Sequence, residues 1–190
     1  LSKTIRRASA LNNLNEILIV IGKSHISLAE EVLKEFPNVN YSLLIEPEGR
    51  NTAPAIFSAA KYIHTQENDS TMLVMPSDHY CDQQTFVDTV ENVIELKTKS
   101  QLVTLGIKPT SPEVGYGYIH HNQNDDILKK IILFKEKPDL FTAQEYLKTN
   151  EFYWNSGINI FDTSHILQEF SKHFIDIDSI DLRFQKSKRI

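Results

Sequence analysis

Residues 17–21 read ILIVI, five apolar side chains in a row, four of them β-branched. A run this short, with no polar position, predicts a strand buried on both faces. Ser27 and Glu30 behind it form an S-x-x-E capping box, which predicts a helix opening at Ser27. That helix carries Leu28, Val32, Leu33 and Phe36 on one stripe, and Pro37 stops it. YSLLI (41–45) is a second strand, followed by a helix from about Pro54 with Ala55, Ile56, Ala59, Ala60 and Ile63 inward. TMLVM (71–75) is a third strand, and a helix with Phe86, Val90, Val93 and Ile94 comes next. LVTLGI (102–107) is a fourth. Strand and helix alternating at this spacing predict right-handed crossovers and an α/β fold, a mostly parallel sheet with helices on both faces.

The rhythm changes after Lys108. VGYGYI (114–119) and ILKKIILFKEKP (127–138), separated by a polar stretch, read as an excursion or hairpin. Thr142 with Glu145 offers a second capping box for a helix through Tyr146 and Leu147. INIF (158–161) is a last strand, and Asp162 or Thr163 caps the helix carrying Ile166, Leu167 and Phe170. The expectation is one α/β domain over residues 1–190 with an inserted mixed-strand region.

The composition narrows the function classes. Among 190 residues, 20 Lys+Arg stand against 25 Asp+Glu, a net charge of −5 with no dense basic stripe. Nucleic acid and membrane surfaces are therefore disfavoured as partners. Hydrophobic residues at 41% and charged residues at 24% argue against wholesale disorder. A single Cys leaves no internal disulfide framework or Cys-based zinc site and fits a reducing, cytoplasmic setting. No apolar run approaches the ~20 residues of a membrane span. The start at Leu1 and the charged tail with Lys186, Lys188 and Arg189 suggest a piece of something longer.

In an open parallel sheet, ligands bind beyond the carboxyl ends of the strands, so the loops there matter most. EPEGRNTAPAI (46–56) follows the second strand and PSDHY (76–80) the third. Asp78, just past a buried strand and preceded by Pro76 and Ser77, is suited to hold Mg²⁺, a hard cation that wants oxygen ligands. The competing reading is a cap for the helix opening near Asp82. Asn51 and Thr52 mark a helix entry whose free N–H groups can meet a purine edge or a phosphate. Glu46 can accept from the ring N–H and amino group of guanine. Helix capping alone explains that loop equally well. Gly115 and Gly117 flank Tyr116, and glycine in a strand marks either a ligand's close approach or a bulge. Along FKEKP, Lys135 and Lys137 fall on one side and Phe134 and Glu136 on the other. A carboxylate there can bind sugar hydroxyls and an ammonium a phosphate; a solvated edge strand is the plainer account. Trp154 and Asn155 can stack on and hydrogen-bond a sugar, or simply pack.

There is no GxxxxGK[ST], GxGxxG or HExxH, the seven His show no metal-ligand spacing, and Cys81 lacks an activating partner.

In their order and spacing, EPEGRNTAPAI, MPSDH, LGIKPTSPEVGYGYI, FKEKPD and YWNSGINIF closely resemble bacterial mannose-1-phosphate guanylyltransferases, members of the sugar-nucleotide pyrophosphorylases. The resemblance runs from about residue 15 to about residue 180. It implies a Rossmann-like nucleotidyltransferase domain that forms GDP-mannose and pyrophosphate from GTP and α-mannose 1-phosphate with Mg²⁺. It also implies roles. Glu46, Asn51, Thr52 and Ser77 would bind the nucleotide, and Asp78 would be a Mg²⁺ ligand. Gly117, Tyr118, Glu136 and Asn155 would bind the sugar, and Lys137 its phosphate; Asp78 and Lys137 would be the catalytic pair. A homo-oligomer is compatible with it.

The family's glycine-rich phosphate loop would precede Leu1, and its second metal-binding Asp would follow Ile190. Three other readings follow: a non-catalytic descendant that binds sugar phosphate or nucleotide, a pyrophosphorylase for another nucleotide sugar, and a metal-dependent glycosyltransferase using the D-x-D at Asp176 and Asp178. RNTAPAI favours guanine, and the D-x-D falls after the last strand.

Overall fold

Ile17–Gly22 (β1) and Tyr41–Glu46 (β2) pair in parallel along their whole length, with Ile17 opposite Tyr41 and Gly22 opposite Glu46. The computed structural model describes residues 1–49, 51–67, 69–98, 101–122, 126–173 and 185–187. The chain divides into two compact units, residues 1–102 with 161–190, and the inserted residues 103–160.

In the first unit β2 lies between β1 and the short antiparallel strand Gln185–Ser187 (β8). Ser42 to Ile45 are accordingly buried, whereas β1, at the edge, keeps only Ile21 fully covered. The expectation that ILIVI is buried on both faces is corrected for that reason. Ser2–Ala8 (α1), where the sequence pattern assigns no element, brings Ile5 against Leu33 and Leu43. Ile26–Leu33 (α2) begins one residue before Ser27 and is entered through a single 3-10 turn, Lys23–His25. Ser27 therefore sits inside the helix rather than capping it. Ala29 and Leu33 face inward, and Leu28 is exposed.

Thr52–Glu67 (α3) places Pro54 in the first turn, where a missing N–H removes no helical bond. Phe57 meets Phe170 of Thr163–His173 (α6) edge-on, with ring centroids 5.3 Å apart. Thr71–Val74 (β3) leads to Gln83–Leu96 (α4), which turns Phe86, Val87, Val90 and Val93 inward and leaves Ile94 largely exposed. The start of α6 is capped from outside its own sequence. Asp69 Oδ1 accepts from the backbone N–H of Ser164 at 3.0 Å, and that bond chiefly holds the Asp69 carboxyl below the usual carboxylate range. Of the two expected caps, Thr163 is the first residue of the helix, and Asp162 is buried and takes the Lys97 ammonium at 2.7 Å instead.

Among the described residues, the strands of the second unit pair antiparallel. Phe152–Asp162 (β7), whose last two residues belong to the first unit, pairs with Val103–Ile107 (β4) and with Tyr118–His121 (β5). Ile131–Lys135 (β6) closes a hairpin with β5, as the polar stretch between them predicts. Strand structure starts at Tyr118 rather than Val114. Leu140–Thr149 (α5) is capped by Asp139, which accepts from the Thr142 N–H at 2.8 Å and whose carboxyl that bond lowers. Thr142 is thus the donor of the cap and not the cap itself. Tyr118 and Ala143 are fully buried here with Phe152, and Tyr146 stacks on Phe152 at 3.8 Å. His120 and His121 stack on Phe152 and Tyr153, successive residues of one strand, so they do point to opposite faces.

The result is an α/β fold of the expected class. Among the described residues no helix is long and apolar enough to cross a membrane. The D-x-D of residues 176–178 lies outside the described residues.

Candidate active site

The inserted unit brings three of the expected residues together around one backbone position. A Cβ built on Gly117 would lie 2.9 Å from Oε2 of Glu136, 2.9 Å from Cζ of Phe134 and 3.5 Å from Cβ of Asn155. Gly117 also accepts from the Asn155 N–H through its carbonyl at 2.8 Å. Glycine stands there because two strands and a carboxylate crowd the place of a side chain. Asn155 is fixed by its own oxygen. Oδ1 accepts from the Thr104 hydroxyl and from the Gly157 N–H, both at 3.1 Å. The second bond needs the left-handed backbone of Gly157, at φ 70°. No hydrogen bond between described residues uses the Asn155 amide nitrogen, which leaves it as a donor.

Lys137 follows in a left-handed turn, φ 42°, with Nζ 3.8 Å from Oε1 of Glu136. Both side chains are more than half exposed, so the pair contributes little to stability. It does put an ammonium and a carboxylate side by side. Tyr118 departs from its expected place: its side chain lies in the core under α5, fully buried, and its hydroxyl has no hydrogen-bond partner among the described residues. The reason is alternation, since Tyr118 faces the side of the sheet opposite Gly117. Trp154, opposite Tyr118 across the strands, packs in the same cluster and meets Tyr116 edge-on at 5.3 Å. For Trp154 packing is the better account.

The remaining expected residues belong to the first unit. Glu46 is the last residue of β2, and partial burial pushes its carboxyl above the ordinary 4.5. Asn51 precedes α3 with φ 68°, a left-handed conformation that asparagine tolerates better than most residues. Thr52 opens the helix. Ser77 and Asp78 lie past the end of β3, both exposed. The capping explanation for Asp78 falls, because Asp82 caps α4 itself, accepting from the Thr85 N–H at 2.9 Å.

Among the described residues no cluster of three or more His, Cys, Asp or Glu could hold a metal alone. Asp78 nevertheless fits Mg²⁺, which is commonly held by one or two carboxylates plus substrate phosphates and water. Its carboxylate is exposed and enters no hydrogen bond among the described residues.

Two residues tied to this loop carry no signal in the sequence pattern. The Thr4 hydroxyl donates to the Ser77 carbonyl at 2.9 Å, and Arg7 Nη2 donates to the Thr4 oxygen at 3.2 Å. A pair three apart on a seven-residue helix, distant in sequence from its loop, matches no motif.

The sequence is 38% identical over 186 residues to a mannose-1-phosphate guanylyltransferase of Escherichia coli, covering 93% of this chain and 40% of that protein. It is 34% identical to the alginate biosynthesis protein AlgA of Pseudomonas aeruginosa, covering 98% and 40%. The chain therefore spans about two fifths of the length of these relatives. Among solved structures, one described as mannose-6-phosphate isomerase from Helicobacter pylori superposes with a TM-score of 0.82 at 32% identity, covering 95% of this chain and 68% of that one. One described as mannose-1-phosphate geranyltransferase from Thermus thermophilus gives 0.79 at 27%, covering 93% and 51%. Residues 1–185 match the nucleotidyl transferase family, and the chain belongs to that family.

Proposed function

We propose that this chain is the core of an enzyme that transfers a guanylyl group from GTP to α-mannose 1-phosphate, giving GDP-mannose and pyrophosphate. The observation that carries the proposal is the convergence of Glu136 and Asn155 on Gly117. A carboxylate acceptor and an amide donor beside a position without a side chain suit a ring of vicinal hydroxyls. The similarity to named mannose-1-phosphate guanylyltransferases supports mannose as the sugar.

Each residue then has a task. Glu136 accepts from sugar hydroxyls, Asn155 donates to one, and the Lys137 ammonium pairs with the sugar phosphate. Glu46 accepts from the ring N–H and amino group of guanine, a pattern adenine lacks. Asn51, Thr52 and the N–H groups opening α3 bind the nucleotide with Ser77. Asp78 would hold Mg²⁺, which when bound would supply positive charge against the phosphates. A phosphate oxygen of the sugar phosphate attacks the α-phosphorus in line. The new P–O bond forms as the bond to the β-phosphate oxygen breaks, and pyrophosphate leaves with the bonding pair. No covalent protein intermediate is needed, so the residues position the reactants and offset their charge. Tyr118 contributes by packing under the site, Cys81 is an ordinary exposed thiol, and the expected setting is cytoplasmic.

The test is incubation of the chain with GTP, mannose 1-phosphate and Mg²⁺. Pyrophosphate release and GDP-mannose binding by calorimetry are measured, with Asp78→Ala alongside. Release that needs all three components and is abolished in Asp78→Ala is expected. Binding of GDP-mannose without release would make the chain a non-catalytic binder, and unchanged Mg²⁺ dependence in the variant would remove Asp78 from the site.

A further inference from the structure

We infer that Thr4, locked by Arg7, is a positioning residue for the loop that carries Asp78. The inference rests on the reading of Asp78 as a metal ligand, and its test separates the two.

Arg7 is a permanent cation at 4% exposure, and among the described residues no carboxylate pairs with it. Among the described residues its Nε has no hydrogen-bond partner, and its guanidinium lies 5.8 Å from the centre of the Phe86 ring. Burying a guanidinium this way is unfavourable, and a structural role alone would be served better by an apolar residue of similar volume. What the arrangement does achieve is direction. A threonine hydroxyl has one proton and two lone pairs, and guanidinium can only donate. With Nη2 of Arg7 occupying a lone pair of Thr4 Oγ1 at 3.2 Å, the single hydroxyl proton is committed elsewhere. It goes to the Ser77 carbonyl at 2.9 Å. The donor to the hydroxyl is charged, and hydrogen bonds in a chain of this kind polarise and strengthen one another.

The peptide carbonyl held in this way is the one joining Ser77 to Asp78. A second contact from α1 meets the same loop two residues later, where Lys3 Nζ stands 4.5 Å from the centre of the Tyr80 ring. Asp78 is thus bracketed by two attachments to one helix while its own side chain stays exposed. This is a supporting shell outside the ligand: buried groups fix the backbone so that the carboxylate is presented with little freedom.

The experiment compares wild type, Thr4→Val and Thr4→Ser. Valine keeps the shape and loses the hydroxyl; serine keeps the hydroxyl. Backbone ¹⁵N order parameters of residues 77–80 are measured, and Mn²⁺ is titrated as the probe metal through paramagnetic broadening of the same amides. Wild type and Thr4→Ser are expected near the rigid value of about 0.85. Thr4→Val is expected to fall below about 0.6 over residues 77–80 alone, with α1 and α4 unchanged. The Mn²⁺ midpoint should rise about tenfold in Thr4→Val and recover in Thr4→Ser. Order parameters at 77–80 that stay at the wild-type value in Thr4→Val overturn the inference. If the loop loses order in Thr4→Val while wild type shows no Mn²⁺ broadening near Asp78, the clamp stands and the metal-ligand reading falls.

Discussion

Oε2 of Glu136 lies 2.9 Å from where a side chain on Gly117 would begin, so the two residues exclude any group larger than hydrogen between them. Gly117→Ala must push both Glu136 and the Phe134 ring aside. Both are the far ends of exposed side chains and can yield, so folding stability should change by no more than about 1 kcal/mol. The carboxylate is displaced from its place beside Gly117, and small misplacements of binding groups are expensive. Affinity for mannose 1-phosphate should fall at least about tenfold with the melting temperature nearly unchanged. Calorimetry beside a thermal melt checks it; an unaltered affinity would remove Glu136 from the sugar contact.

Gly106 looks similar and should behave in the opposite way. A Cβ there would stand 2.7 Å from Cβ of Tyr153, an atom anchored directly to the backbone of β7. Nothing can swing away, so β4 and β7 must separate where their register already shifts between Thr104 and Gly106. Gly106→Ala should cost about 1–3 kcal/mol, read from urea unfolding. An unfolding midpoint equal to wild type would show that the strand pair is looser than this packing implies.

Glu46 gives a pH-dependent outcome. Desolvation raises its carboxyl above the ordinary 4.5. Below 4.5 the group is protonated in folded and unfolded chains alike, and the folded state bears no penalty. As pH rises through the elevated folded value, the fold must ionise a group its surroundings disfavour, and that part of the stability is lost. Glu46→Gln should therefore melt higher than wild type at pH 7, with the gap closing as pH falls below 4.5. GTP affinity should drop in the same variant, because the glutamine amide places a donor against the amino group of guanine. A melting gap of the same size at every pH would contradict the assignment.

The strands and their loops were legible from ILIVI, YSLLI and TMLVM because apolar runs of that length have few other uses. Gly117, Glu136 and Asn155 were legible only as a set, since each alone has a plain structural explanation. Two caps come from elsewhere than the sequence pattern puts them: Asp139 caps α5 from the position before the helix, and Asp69 reaches α6 from far off in sequence, whereas α4 opens beside Asp82 as read. An S-x-x-E or T-x-x-E pattern shows which residues are able to cap, and tertiary structure decides which do. The family resemblance gives Tyr118 a sugar role alongside Gly117, yet successive residues of an extended chain face opposite ways. The Thr4–Arg7 link reaches Ser77 from 73 positions away, and no local pattern encodes that.

The Lys97–Asp162 pair supplies the last test. Lys97 Nζ and the Thr71 hydroxyl both donate to Asp162 Oδ1 at 2.7 Å, and the paired side chains are 5% and 8% exposed. Removing only the cation leaves a carboxylate in the interior with one neutral donor, so Lys97→Met should cost about 3–5 kcal/mol. Adding Asp162→Asn removes the stranded charge, while the new amide oxygen still accepts from Thr71. The double variant should therefore be more stable than Lys97→Met alone, although one mutation more distant from wild type. Urea unfolding of the two variants checks the order. If the double variant is the weaker, the cost in Lys97→Met comes from lost packing of the lysine stem at the end of α4 and not from an unpaired buried charge.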